Sequence, residues 1–119
     1  MRETERESET LSEAETPSLD LVFDLLADQR RRYALYYLYD VSDGVATVDE
    51  VAEYVLRLED GDHSDEHERH VLTALQHVHL PKLEDAGILE YDSRSETVRY
   101  WSRPSLEEWL EHAQHKEVV

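Results

Sequence analysis

The apolar residues of segment 66–101 change their spacing at a single glycine, and this limits the folds open to the chain. Val71, Leu72, Leu75 and Val78 recur at helical intervals, so one face of this segment is expected to be buried. Pro81 lacks a backbone donor and crowds the preceding turn, which predicts an end or a kink near Leu80. Lys82, Leu83 and Ala86 complete a last turn, and Gly87 supplies the left-handed residue that closes it. Residues 88–92 and 97–101 then read as two strands rich in β-formers, separated by the polar stretch DSRSE.

Upstream, Ser18 reads as an N-cap followed by Asp20 in a first turn, with Leu19, Val22, Phe23, Leu25 and Leu26 on one apolar face. Asp28 caps a second predicted helix over residues 29–39, with Leu35, Leu38 and Val41 as core positions, and Asp43-Gly44 marks the turn out of it. Residues 45–47 form a short edge strand that can pair with the later hairpin. Thr47 and Glu50 have capping-box spacing for a third helix reaching Leu58, buried through Val48, Val51, Ala52, Val55 and Leu58. Residues 59–65 are a polar loop, and Ser64 or Asp65 caps the long fourth helix. Pro104 and Ser105 open a final helix.

The expected class is therefore mainly α with a small β-hairpin, a winged helix-turn-helix with an additional C-terminal helix. Residues 18–103 form the domain, and residues 104–119 form an amphipathic helix that is a candidate dimerisation element. Residues 1–17 are a Glu-, Ser- and Thr-rich acidic tail, expected to be disordered because so little of it can be buried.

Composition constrains function mainly by sign. Asp and Glu total 29 against 12 Lys plus Arg, a formal charge of −17, and only Lys82 and Lys116 are lysines. This pattern resembles proteins of halophilic archaea that keep molar salt in the cytoplasm, where repulsion is screened. The counterion-release contribution to DNA affinity is also nearly lost in such salt. Local lapses in the acidic background then carry more information than the total charge. The chain has no cysteine, no signal-like start and no apolar run of spanning length, so a cytoplasmic protein with no membrane partner is expected.

The runs LLADQRRRYALYYLYD, ATVDEVAEYV, HVHLPKLEDAGILEYD and TVRYW resemble small haloarchaeal winged-helix domains of unknown function. More distantly they are similar to the DNA-binding domains of ArsR- and MarR-type archaeal regulators. The resemblance covers residues 19–101 and is carried most specifically by the RRRY run and the HVHLPKL block. It implies a fold and a DNA-binding regulatory role, with double-stranded DNA as partner, and brings no catalytic residue or cofactor.

In a helix-turn-helix, the fourth helix would enter the major groove. With Val71, Leu75 and Val78 inward, Arg69, His70, Thr73, Gln76 and His77 face outward, and these residue types can read base edges. Packing against a partner subunit is the alternative explanation of a less acidic face. Arg30, Arg31 and Arg32 open the second helix, where cations oppose the helix dipole. Phosphate contact and salt bridges to nearby carboxylates both account for them. Arg94 at the hairpin tip and Arg99 on its second strand are further candidates for phosphate or minor-groove contact, with simple solubility as the alternative.

The final helix puts Leu106, Trp109, Leu110 and Ala113 on one stripe. It either pairs two copies through Leu19, Val22, Phe23 and Leu26 of the first helix, giving a homodimer, or folds back onto its own core. A protein partner is a further reading, since Tyr33, Tyr36, Tyr37, Tyr39, Trp101 and Trp109 exceed what a small core needs. His63, His67 and His70, with Asp62 and Glu66, have spacing compatible with a metal, but the first lies in a predicted loop, and no metal is assigned. Of His77 and His79, one is expected to be buried and hydrogen-bonded. With three glycines, no phosphate loop, no nucleophile elbow and no cysteine, the chain gives no support to an enzyme, a cofactor or a small-molecule substrate.

Overall fold

The computed structural model describes residues 17–59 and 64–118. The expectations for the tail before Pro17, and for Gly61, Asp62 and His63, lie outside the described residues. The elements are α1 (Leu19–Leu25), α2 (Gln29–Asp40), β1 (Val45–Thr47), α3 (Val48–Leu58), α4 (Asp65–Ala74), a π-helical turn (Leu75–His79), α5 (Leu80–Asp85), β2 (Leu89–Asp92), β3 (Thr97–Tyr100) and α6 (Pro104–Glu117). The fold is mainly helical with one three-stranded antiparallel sheet in the order β1-β3-β2, an arrangement compatible with a winged helix.

The polar residues at the helix starts act as the sequence implies. Ser18, Asp28 and Ser64 accept from the backbone N–H of Leu21, Arg31 and His67 at 3.1, 3.0 and 3.2 Å. Thr47 and Glu50 form a reciprocal capping box. At the other end of α5, the Ile88 N–H bonds Leu83 O and the Gly87 N–H bonds Glu84 O, both at 3.0 Å. That pair of bonds is a Schellman closure. Gly87 sits in the left-handed region at φ 78°, and the flanking Leu83 and Ile88 are fully buried. Gly44 has φ 73° and lies so close to Tyr100 that an added Cβ would stand 3.0 Å from Tyr100 O. Its carbonyl accepts from the Tyr100 N–H at 2.7 Å, joining the end of α2 to the hairpin.

β1 is the edge strand expected from residues 45–47, with Ala46 opposite Val98, and the Val48 N–H bonds the Glu96 carbonyl at the hairpin turn. The start of α3 is thereby fixed to the hairpin. Packing of α2 on α3 and α3 on α4 surrounds a core of Leu25, Leu35, Tyr36, Leu38, Val51, Val55, Val71 and Leu75.

Two expectations are corrected. Val78 is 53% exposed where α-helical spacing puts it inward. The π turn, closed by the Leu80 N–H on Leu75 O, adds a residue to the turn, so His79 and Leu80 take the inward positions instead. Pro81 offers no donor to the carbonyl four residues back, and the helix widens there and continues as α5 rather than ending.

The second correction concerns the dimerisation set. Leu106, Leu110 and Val22 are buried within the chain's own core, and Leu26 and Ala113 are half-buried against it, because α6 folds back on α1 and α2. Glu117 holds that position, accepting from Arg32 Nε and Nη2 at 2.9 and 2.6 Å and from the Tyr36 hydroxyl at 2.7 Å. The Arg32 bonds pull its carboxyl down to about 2. Tyr39 also donates to Glu111, and Tyr100 to Glu107 at 2.7 Å. The tyrosines are thus largely absorbed by the fold: Tyr33 and Tyr36 are buried, and Tyr37 packs on Tyr54 at 5.3 Å. Of the proposed set, Leu19, Phe23 and Trp109 remain exposed.

Candidate nucleic-acid interface

The outward face of α4 and the π turn carries Arg69, His70, Thr73 and His77 exposed, with Gln76 half-buried. Val78, rotated outward by the wide turn, joins them as an apolar member that α-helical spacing does not anticipate. Asp65, Glu66 and Glu68 are confined to the first turn of α4, where carboxylates complement the helix N-terminus. From Arg69 to Leu83 no acidic residue occurs, so the remainder of the face is free of carboxylates of its own.

The arginine run faces inward. Arg30 makes a two-point contact with Glu59, Nε to Oε2 at 2.6 Å and Nη2 to Oε1 at 3.0 Å. Arg32 is held by Glu117 and by the Leu26 carbonyl at 2.6 Å. Arg31 is 6% exposed: its Nε donates to Leu25 O at 2.7 Å and its Nη2 to Asp24 O at 2.8 Å, the carbonyls that end α1. A cation opposes the start of α2 but complements the end of α1, and this resolves the apparent conflict with the dipole. Of the two accounts of the run, internal pairing is the one its geometry follows.

On the hairpin, Arg94 is exposed at the tip, its backbone N–H held by Asp92 at 3.0 Å. That bond draws the Asp92 carboxyl below its ordinary value. Glu96, at φ 56°, completes the tight turn. Arg99 lies over the Trp101 ring at 5.8 Å. Arg57 covers Tyr54, and Arg103 donates to the Gly87 carbonyl at 3.1 and 2.9 Å. Of the eight arginines among the described residues, six are thus engaged by a carboxylate, a carbonyl or a ring. The two whose guanidinium groups have no partner among the described residues are Arg69, on the α4 face, and Arg94, at the hairpin tip.

His67 touches Glu59 at 3.2 Å beside Arg30, and no metal-holding group of three His, Cys, Asp or Glu residues occurs among the described residues. No helix among them is long and apolar enough to cross a membrane.

The chain belongs to the family described as a domain of unknown function (DUF7344), whose model matches residues 23–99. That span includes the α4 face and the hairpin and stops before α6. No curated protein and no solved structure matches the chain.

Proposed function

We propose that this chain is a winged-helix, DNA-binding transcriptional regulator of a halophilic archaeon, related to ArsR- and MarR-type regulators. It would lay the face of α4 and the π turn in the major groove and set the β2–β3 hairpin alongside as a wing. The observation that carries the reading is the pair of uncommitted guanidinium groups: in a chain of charge −17, those of Arg69 and Arg94 alone among the described arginines have no internal partner. Order of elements and strand order β1-β3-β2 support the fold assignment. On this reading Arg69, Thr73 and Gln76 contact base edges, Val78 packs on a thymine methyl group, and Arg94 meets phosphate. The remaining acidic surface keeps the protein hydrated and away from the duplex.

A second reading, a protein-interaction module without sequence-specific DNA binding, is favoured by the cluster of Leu19, Phe23 and Trp109. These are 54, 47 and 40% exposed, with the two rings edge-to-face at 5.2 Å. Titration of a mixed-sequence duplex across a series of KCl concentrations separates the two. Saturable binding is expected, and Arg94→Ala should lower the slope of log affinity against log salt by about one. Arg69→Ala should instead cost about 1–3 kcal/mol on preferred sequences only. Wild-type protein that shows no saturable binding at any salt concentration would leave the interaction module as the better account.

A further inference from the structure

The wide turn brings an imidazole to an inward position that an ordinary helical turn would give to Val78. His79 is 5% exposed. Its Nδ1 lies 3.4 Å from Arg31 Nη1, and its Nε2 lies 3.8 Å from Asp28 Oδ1. Guanidinium has only donors and keeps its charge, so Nδ1 must offer a lone pair to Arg31. The ring is then neutral, with its hydrogen on Nε2, the nitrogen on the Asp28 side. A proton added to Nδ1 would set donor against donor and place two cations together in a nearly dry site.

The other charged groups around the ring are largely paired with one another. Arg30 of α2 is engaged by Glu59, just after α3, which also receives His67 from α4. Lys82 of α5 is paired with Asp24 of α1 at 2.8 Å. Asp28 is thus left as the main group favouring protonation, with Arg31 opposing it. Burial outweighs Asp28 and holds the His79 pKa below the ordinary histidine value of 6.5.

We infer that the π turn is a proton-sensitive latch, in which neutral His79 fixes residues 75–80 in the wide turn and protonated His79 releases them. Release frees the segment that presents His77 and Val78 to the outside, so the latch governs the shape of the exposed face. The sign follows from the shift. With the folded pKa below the unfolded one, the contribution is complete above about pH 6.5 and is lost as pH falls through the folded value. The device is independent of what the face binds.

The test uses the full chain in molar KCl, isotope-labelled and free of any partner. Protection of the Leu80 amide, which bonds Leu75 O across the wide turn, is compared with that of Val55 in α3 between pH 7.5 and 5. Leu80 protection should be lost in step with titration of the His79 ring, while Val55 changes far less. His79→Asn keeps an acceptor for Arg31 but cannot take up a proton, and should abolish the fall. Should that variant fail to fold, agreement of the wild-type Leu80 curve with the His79 titration decides alone. The latch is overturned by Leu80 protection that is constant with pH, by a fall shared equally with Val55, or by a fall that persists in a folded His79→Asn protein.

Discussion

Replacing Arg31 with alanine should destabilise the protein by about 3–5 kcal/mol. The side chain bridges three elements: it donates to Leu25 O and Asp24 O at the end of α1, leaves from α2, and approaches His79 of the π turn. Truncation leaves the buried Leu25 carbonyl and an imidazole nitrogen short of a donor, while the Asp24 carbonyl keeps the Ala27 N–H at 3.3 Å. Each loss of that kind costs about 1–3 kcal/mol, and the void left by the side chain adds to it. Arg31→Lys keeps the charge but offers a single ammonium in place of a planar fork, and should recover less than half of the loss. Urea unfolding in molar KCl reads both variants. A cost near zero for Arg31→Ala would mean that the guanidinium is not held as described and would return it to the pool of arginines open to phosphate.

Leu110→Ala should cost about 2–5 kcal/mol, with no dependence on protein concentration. Leu110 and Leu106 are fully buried within one chain, and Glu117 fastens the far end of α6 to Arg32 and Tyr36. A helix that existed to pair two copies would behave differently: its truncation would change the association state and leave the monomer's stability little altered. Unfolding midpoints at two concentrations a hundredfold apart distinguish the cases. A midpoint that shifts with concentration in wild type and ceases to do so in Leu110→Ala would restore the dimer element. Any homodimer contact on this side then has to rest on Leu19, Phe23 and Trp109, since Val22, Leu106 and Leu110 are already used.

The legible parts of the fold were those set by local chemistry. Ser18, Asp28, Thr47 with Glu50, and Ser64 each cap the helix their position implies, and Gly87 closes α5 through its positive φ. The edge strand at Val45–Thr47 and both hairpin strands follow from β-formers between turn residues. What stayed hidden was the register beyond Leu75. Helical periodicity assumes a constant turn, and a π turn breaks it, exchanging Val78 for His79. Pro81 was the available signal, since its missing donor falls on the turn just upstream, but a proline can end, kink or widen a helix, and spacing alone does not choose. The arginine run was ambiguous for another reason. Its partners, Glu59 and Glu117, lie 29 and 85 residues away from Arg30 and Arg32, and nothing local points to them. The site was legible as a face, with Arg69, His70, Thr73 and His77 outward, but not in its commitments: only the three-dimensional pairing distinguishes Arg69 and Arg94 from the other six described arginines.

Selection of binding sites from a random duplex library in molar KCl tests most directly the claim that the α4 face and the hairpin together read DNA. Wild-type protein is compared with the triple variant Arg69→Ala, Gln76→Ala, Arg94→Ala, all three positions lying outside the fully buried core. An enriched motif is expected with wild type and none with the triple variant at equal protein folding. If two copies bind together, the motif should be a palindrome with half-sites about one helical turn apart. No motif from wild type, or equal retention of DNA by both proteins, would contradict that claim.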